Sequence, residues 1–239
     1  MKVIIDSGEN IARRAADLYK EVLDRIPNAV LGFATGSTPL DLYAELVRRV
    51  ERKELSFQNV TTFNLDEYVG LEPTHDQSYR YFMDHNLFTK IDLDPKNVHI
   101  PSGLEIGQEQ LDAYEAAIES CGGIDMQLLG IGRNGHIGFN EPGTPFGALT
   151  HKVRLTDSTI EANSRFFATK DEVPKEAVTM GIRTVMNARR LVLIALGDSK
   201  AEIIAKTVKG PVTEEVPASV LQLHPDAYIF ADEEAAKYL

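Results

Sequence analysis

The chain alternates short apolar or β-branched runs with longer segments in which apolar residues recur at helical spacing. This alternation is typical of a parallel sheet covered by helices, because each strand is buried on both faces and each helix on one. Six runs predict strands: Val3–Ile5, Ala29–Ala34, Asn59–Leu65, Ile124–Leu129, Leu191–Leu196 and Ala227–Phe230. Six segments predict helices: Glu9–Arg25, Pro39–Glu51, Ser78–Leu87, Gln108–Ser120, Lys200–Val208 and Glu233–Tyr238.

Between residues 150 and 184 the pattern is less regular and rich in polar residues, which favours a lid over the edge of the sheet. No repeat, low-complexity tract or linker-like stretch divides the chain, so one domain spanning residues 1–239 is expected. In an open parallel sheet a ligand binds outside the carboxyl ends of the strands, where the strand order reverses. Polar, glycine-rich clusters that follow predicted strands are therefore the candidate functional sites.

Composition narrows the possible partners. The formal net charge of −11 argues against non-specific binding to nucleic acid or to an anionic membrane, so an anionic ligand would need a local group of cations. Cys121 is the only cysteine, which excludes an internal disulfide and suits a reducing compartment. The first residues do not resemble a signal peptide, and no apolar run is long enough to span a bilayer. A cytoplasmic protein is expected.

The first polar cluster, Gly32–Pro39, runs from a predicted strand into a predicted helix and contains Thr35-Gly36-Ser37-Thr38. Small residues let the backbone approach a ligand closely, and free amides at a helix start attract anions. The cluster has neither the Gly-Lys-Ser/Thr ending of a nucleotide P-loop nor the dinucleotide fingerprint. It is a candidate phosphate site, and a tight structural turn is the alternative on these residues alone.

The second cluster contains two adjacent carboxylates, Asp66 and Glu67, after the predicted strand Asn59–Leu65. Neighbouring residues at a strand end point in different directions, so at most one of them is expected to face a ligand. A partly desolvated carboxylate in that position can act as a general base. A solvated or helix-capping acid is the alternative.

The third cluster places four glycines between positions 130 and 138 around His136, with Glu141 close behind in the chain. Glycines clear space around the ring, whereas a core histidine usually has bulky apolar neighbours. Histidine takes and gives a proton near neutral pH, which suits it to acid–base catalysis. We therefore expect His136 to be catalytic and Glu141 to orient its ring.

Two cations are candidate phosphate ligands. Arg165 lies in the irregular segment, and Lys200 begins a predicted helix after the strand Leu191–Leu196. Arginine offers a bidentate fork and lysine a point charge, although each alone could be an ordinary surface charge. No His-x-x-x-His or Cys-x-x-Cys spacing occurs, so no metal site is expected.

Five blocks in the same order make the chain resemble the glucosamine-6-phosphate deaminases over essentially its whole length. They are Thr35–Pro39, Phe63–Leu71, Gly135–Pro142, Asn163–Phe167 and Leu221–Pro225. The resemblance implies a modified Rossmann-like α/β fold, a three-layer sandwich with a mainly parallel sheet and a mobile lid. It also implies a cofactor-free enzyme of amino-sugar catabolism that acts on a C–N bond, converting glucosamine 6-phosphate into fructose 6-phosphate and ammonia.

The resemblance further implies a role for each matching residue. Asp66 matches the base that moves a proton between C2 and C1, His136 the group that opens the pyranose ring, and Glu141 its partner. The residues that match the phosphate site are Thr35, Gly36, Ser37, Thr38, Arg165 and Lys200.

Asn134 departs from many members of that family, which carry Asp-Gly-His where this chain has Asn134-Gly135-His136. Asparagine forms hydrogen bonds but brings no negative charge to raise the pKa of a neighbouring histidine. The role of Asn134 as third member of the ring-opening group is therefore open, and Glu141 is the only charged partner expected.

Allosteric, hexameric relatives are longer at the C-terminus and place an Arg-x-Lys pair where this chain has His151-Lys152-Val153. We therefore expect a short, non-allosteric enzyme with hyperbolic kinetics, a monomer or small homo-oligomer whose partner is a small sugar phosphate. Two alternatives remain from the sequence. A 6-phosphogluconolactonase-type hydrolase needs no base at C2, and a non-catalytic sugar-phosphate sensor needs no acid–base residues at all.

Overall fold

A computed structural model describes all 239 residues, Met1–Leu239. Ten strands occur: β1 (Lys2–Ile5), β2 (Val30–Phe33), β3 (Thr61–Asn64), β4 (Asp66–Tyr68), β5 (Val98–His99), β6 (Met126–Leu129), β7 (His151–Arg154), β8 (Glu176–Thr179), β9 (Leu191–Ala195) and β10 (Ala227–Ala231). Seven α-helices occur: α1 (Gly8–Arg25), α2 (Leu40–Glu51), α3 (Tyr79–Asn86), α4 (Gln108–Ser120), α5 (Asp157–Asn163), α6 (Ile182–Met186) and α7 (Ala201–Lys209). Short 3-10 turns connect several of them, and no helix is both long and apolar enough to cross a membrane.

Seven strands form one parallel sheet in the order β1-β10-β9-β6-β2-β3-β5, which confirms the expected α/β class. From β2 the chain proceeds to β3 and β5 on one side, and from β6 to β9 and β10 on the other. The strand order thus reverses between β2 and β6, where Gly32 lies beside Gln127. The crevice outside the carboxyl ends of these two strands is the expected place for a ligand.

Helices cover both faces of this sheet. Phe33 of β2 stacks on Tyr19 of α1, with ring centres 5.8 Å apart, and meets Tyr43 of α2 edge-on at 5.9 Å. Phe63 of β3 points to the opposite face and meets Tyr114 of α4 at 5.7 Å. All five side chains except the half-buried Tyr114 lie in the main core, so the sheet is the middle of three layers.

A second, antiparallel sheet of β4, β8 and β7 begins where β3 ends. Leu65 joins the two sheets: its N–H donates to the carbonyl of Phe33 at 3.1 Å, and its carbonyl accepts from the N–H of Met180 at 2.7 Å. The chain therefore leaves the parallel sheet at Leu65, and Asp66 stands at the boundary between the sheets.

Several elements differ from the sequence-based expectation. The helix predicted at Glu233–Tyr238 is wrong, because this segment forms turns in which the Asp232 carboxylate accepts from the N–H groups of Ala235 and Gly197. The short side chain of Asp232 accepts hydrogen bonds from these local amides and so stabilises the turns. Strand β5 was not expected because it has only two residues. Segment 150–184 contains β7, α5 and β8 as well as irregular turns.

Candidate active site

The loop after β2 carries Thr35, Gly36, Ser37 and Thr38 to the start of α2. Gly36 has φ +104°, a conformation that favours glycine. The hydroxyl groups of Ser37 and Thr38 form no hydrogen bond within the protein. Together with the free amides at the start of a twelve-residue helix, they provide hydrogen-bond donors at the crevice.

Asp66 is the most unusual acid of the site. It is only 6% exposed, pairs in β4 with Thr179 of β8, and has no hydrogen-bond donor or cation at its carboxylate. Burial, reinforced by the charge of Glu67, raises the pKa of Asp66 to about 8. A buried carboxylate without a partner suits a proton-transferring group better than a structural one.

Glu67, its neighbour, has a structural position. Its carboxylate accepts from the backbone N–H groups of Tyr68, Tyr79 and Arg80 at 2.8, 2.9 and 3.0 Å, and so caps the start of α3. Burial raises the pKa of Glu67, and these three hydrogen bonds oppose the increase. The two adjacent acids therefore point to different environments, as the alternation along a strand predicts.

His136 lies in the glycine-rich loop after β6. Its carbonyl accepts from the N–H of Gly132 at 3.0 Å, and 21% of its side chain is exposed. The ring lies against Gly132, where an added Cβ would come within 2.3 Å of Cε1. Glycine at position 132 is thus required for the observed place of the imidazole.

Glu141 lies beside the imidazole of His136 and is only 5% exposed. Its Oε2 accepts from Asn134 Nδ2 at 2.6 Å and lies 3.4 Å from His136 Nδ1, while its Oε1 accepts from the hydroxyl of Thr159 at 2.5 Å. Burial disfavours the charged carboxylate, but the contacts with His136, Thr159 and Asn134 outweigh it and lower the pKa of Glu141 to about 2. The carboxylate is therefore ionised at neutral pH.

The loop of His136 also reaches the carboxylate of Asp66. A Cβ added to Gly138 would lie 3.5 Å from Oδ2 of Asp66 and 2.8 Å from Oγ1 of Thr179. The N–H of Phe139 donates to that same hydroxyl at 3.1 Å. The structure thus brings the second and third polar clusters of the sequence together.

The cations meet at the same edge of the sheet. Lys200, half-buried after β9, donates through Nζ to the carbonyl of Ile131 at 2.5 Å. Burial, followed by the positive charges of Arg133 and Arg165, lowers the pKa of Lys200 to about 8. No carboxylate is among the charges that act on Lys200, so a local positive group exists in a chain with net charge −11.

Among the residues that sequence reasoning missed, Arg133 acts on this arrangement through its charge and Thr159 through its hydrogen bond with Glu141. Arg133 is the only cation between Gly130 and Gly143, so a search for charge within the third cluster would have found it. Thr159 offered no such signal, because it lies 18 residues after Glu141 in the least regular segment. Lys152, which lies in the segment compared above with the Arg-x-Lys pair, forms an exposed ion pair with Glu176 at 3.1 Å.

Comparison with known proteins identifies the family. The family described as "Glucosamine-6-phosphate isomerases/6-phosphogluconolactonase" matches residues 6–229. This chain belongs to that family. Within it, a protein of Thermoanaerobacter pseudethanolicus named glucosamine-6-phosphate deaminase is 52% identical, with 100% of this chain and 95% of the relative covered. A Clostridium perfringens protein of the same name is 49% identical, with both chains covered completely.

Solved structures of the family agree in fold. A monomeric glucosamine-6-phosphate deaminase superposes with a TM-score of 0.97 at 45% identity, with 100% of both chains covered. A 6-phosphogluconolactonase from Thermotoga maritima gives a TM-score of 0.76 at 19% identity, covering 96% of this chain and 97% of that one. The second likeness shows a shared fold alone.

Proposed function

We propose that this protein isomerises and deaminates glucosamine 6-phosphate, with water as co-substrate, to fructose 6-phosphate and ammonia. The observation that carries the proposal is the unpartnered, buried carboxylate of Asp66 beside the loop that holds the His136–Glu141 pair. Isomerisation needs a base at C2 in addition to a group that opens the ring, and we assign these roles to Asp66 and His136. Relatives about half identical over the full chain and named glucosamine-6-phosphate deaminase support the same assignment.

The phosphate group binds at the cationic edge in this proposal. Thr35, Gly36, Ser37 and Thr38 supply backbone and hydroxyl donors, and Lys200 and Arg165 supply charge. Lys200 is held on the carbonyl of Ile131, next to the loop of His136, so an anchored phosphate places the sugar over the glycine-rich loop. Charge-assisted hydrogen bonds of this type are about twice as strong as neutral ones.

His136 opens the pyranose ring. It takes the proton of the O1 hydroxyl as the C1–O5 bond breaks, and a proton is returned to O5. Glu141, ionised at neutral pH, stabilises the imidazolium that forms between these transfers. Asn134 keeps Oε2 of Glu141 in place by its hydrogen bond and so assists without a charge of its own.

Asp66 then moves a proton from C2 to C1. Asp66 removes the C2 proton while the ammonium group of the substrate passes a proton to O1, which gives an enolamine with a hydroxyl at C1. Asp66 then returns its proton to C1, which gives the protonated imine at C2. Water adds to this imine, and the C2–N bond breaks with release of ammonia and formation of the ketone. The positively charged amino group of the substrate, carried by C2 itself, lowers the pKa of a nearby carboxyl group and so favours the basic form of Asp66 on binding.

The chain is further proposed to act as one domain, residues 1–239, with segment 150–184 covering the site. Contacts of α5 with Glu141 and with Tyr68 support this placement of the segment. A monomer is proposed, since a structural neighbour at 45% identity is described as monomeric and Lys152 is already paired with Glu176. A cytoplasmic location suits the free, exposed Cys121.

A direct assay tests the proposed activity. Purified protein is incubated with glucosamine 6-phosphate, and ammonia and fructose 6-phosphate are measured separately; equal amounts of both are expected. Hydrolysis of 6-phosphogluconolactone is measured in parallel. Lactone hydrolysis without ammonia would identify a lactonase, and binding of the sugar phosphate without turnover would identify a sensor.

A further inference from the structure

The carboxylate of Glu141 is held from two sides by different segments of the chain. Its Oε2 faces the glycine-rich loop, through Asn134 at 2.6 Å and His136 at 3.4 Å. Its Oε1 faces α5, through the hydroxyl groups of Thr159 at 2.5 Å and Thr156 at 3.2 Å. Among ionisable side chains, only His136 forms an ion pair with this carboxylate. The orientation of Glu141 therefore depends on α5 as well as on its own loop.

Thr159 is the main donor from α5. A hydroxyl group has a single proton to donate. The hydroxyl of Thr156 caps the helix and lies within 3.3 Å of several partners, namely the backbone N–H of Thr159 and the hydroxyl groups of Ser158 and Thr159 as well as Glu141. Thr159, which is 5% exposed, has its shortest hydrogen bond with Oε1 of Glu141.

The far end of α5 is fixed independently. Asn163 donates through Nδ2 to the phenol oxygen of Tyr68 at 2.9 Å, and Tyr68 lies in β4 with Asp66. The helix that carries Thr159 is thus anchored to the antiparallel sheet as well as to Glu141, and an anchored residue can orient another side chain.

We propose that Thr159 is a positioning residue for ring opening: its hydroxyl fixes the Glu141 carboxylate so that Oε2 faces His136. This inference rests on the proposed deaminase function and on its assignment of ring opening to His136. Without the hydroxyl, Oε1 loses its principal donor in a buried setting, and the carboxylate turns towards other donors. His136 then lacks a fixed counter-charge when it accepts the proton.

Three variants separate this role from a general structural one. Thr159→Val removes the hydroxyl donor at nearly constant shape, and Thr159→Ser retains it. Thr207→Val is the matched control, because Thr207 of α7 has a buried hydroxyl group that forms no hydrogen bond. Thr159→Val is expected to lower kcat roughly tenfold, the effect of one hydrogen bond to a charged group. KM and inhibition by inorganic phosphate stay within about twofold of wild type, since the phosphate contacts are unchanged.

The deciding measurement is a double-mutant cycle with Glu141→Gln. Because Thr159 acts through the charge of Glu141, adding Thr159→Val to Glu141→Gln is expected to lower kcat by less than about twofold. The kcat of Thr159→Ser is expected to stay within about threefold of wild type, and the kcat of Thr207→Val is expected to equal that of wild type. If Thr159→Val does not fold, Thr159→Ala takes its place in the same cycle.

Two results would overturn the inference: a full tenfold loss on top of Glu141→Gln, or wild-type kcat in the valine variant. A serine variant as slow as the valine variant would also overturn it. These outcomes differ from failure of the proposed function, in which the wild-type protein itself would release no ammonia from glucosamine 6-phosphate.

Discussion

The imidazole of His136 occupies the space that a side chain at Gly132 would fill. A Cβ on Gly132 would lie 2.3 Å from Cε1 and 2.4 Å from Nε2 of that ring, far inside contact distance. The same ring faces Oε2 of Glu141 at 3.4 Å on its Nδ1 side. One glycine thus sets the position of the imidazole that is proposed to exchange protons with the sugar.

Gly132→Ala is therefore expected to displace the His136 ring and lower kcat by roughly 10–10³, because proton transfer depends on placement within hydrogen-bond reach. Gly130→Ala, in the same loop, is the matched control, since an added Cβ there would meet nothing within 4 Å. Steady-state kinetics of both variants make the comparison. Equal activity of the two would show that the position of His136 does not limit turnover.

Asp66→Asn is expected to stabilise the protein in a pH-dependent manner. The folded state raises the pKa of Asp66 to about 8, so folded protein keeps a proton that unfolded protein loses above about pH 4. Wild type therefore loses stability relative to the asparagine variant as pH rises between these values, by at most about 1.4 kcal/mol per pH unit. Urea unfolding at several pH values measures the difference. A constant difference from acid to alkaline pH would contradict the raised pKa.

Phosphate binding is expected to weaken as pH rises through about 8. Burial, together with the charges of Arg133 and Arg165, lowers the pKa of Lys200 to about 8. Above that pH the amine is neutral and no longer attracts an anion. Arg133→Gln removes one repelling charge, so the loss of binding moves to higher pH. Competitive inhibition by inorganic phosphate, measured from neutral to alkaline pH, reports both effects.

The same variant tests whether Arg133 contacts the phosphate, since loss of a direct contact weakens inhibition roughly tenfold at neutral pH. Arg52→Gln, at the end of α2, changes an exposed arginine away from the site and serves as control. Identical inhibition constants for the two variants would exclude Arg133 from the phosphate site.

Much of the fold follows from local patterns. Six of the seven parallel strands contain apolar runs that are long enough to recognise in the sequence. Helix caps are local features too: the Ser7 hydroxyl accepts from the N–H of Asn10 at the start of α1. The small sheet of β4, β8 and β7 escaped prediction because β4 has three residues and its pairing with β8 joins residues far apart in sequence. Register between distant segments leaves no periodic signal.

The candidate site likewise contains some residues that the local sequence suggests and others whose roles depend on tertiary contacts. Asp66, His136 and Glu141 occur in clusters whose residue types already suggest proton transfer, and the structure places these clusters together through Gly138 and Thr179. The capping role of Glu67 depends on α3, which begins twelve residues later, so the sequence could only offer it as an alternative. The role of Thr159 depends on a tertiary contact and could not be read from spacing.

Saturation kinetics are expected to be hyperbolic, with no activation by N-acetylglucosamine 6-phosphate. The exposed charge of Lys152 is already paired with Glu176, and Val153 supplies no cation for the phosphate group of this activator. A ligand without differential affinity for two states shifts no equilibrium. Rate curves with and without the N-acetylated sugar, and sedimentation of the protein, test this. A sigmoidal curve that the effector makes hyperbolic would contradict it.

The central claim is that Asp66 carries the proton from C2 to C1 of an amino-sugar phosphate. Its most direct test is the reaction of glucosamine 6-phosphate in D₂O, followed by NMR, with wild type and Asp66→Asn. Wild type should give fructose 6-phosphate that keeps protium from C2 at C1, with deuterium there only to the extent that the proton on Asp66 exchanges with solvent before it is returned. The asparagine variant should bind the open-chain analogue 2-amino-2-deoxyglucitol 6-phosphate as wild type does while turnover falls roughly 10²–10⁴-fold, the usual loss for a positioned base. Wild-type turnover and deuterium content in the variant would remove Asp66 from the reaction.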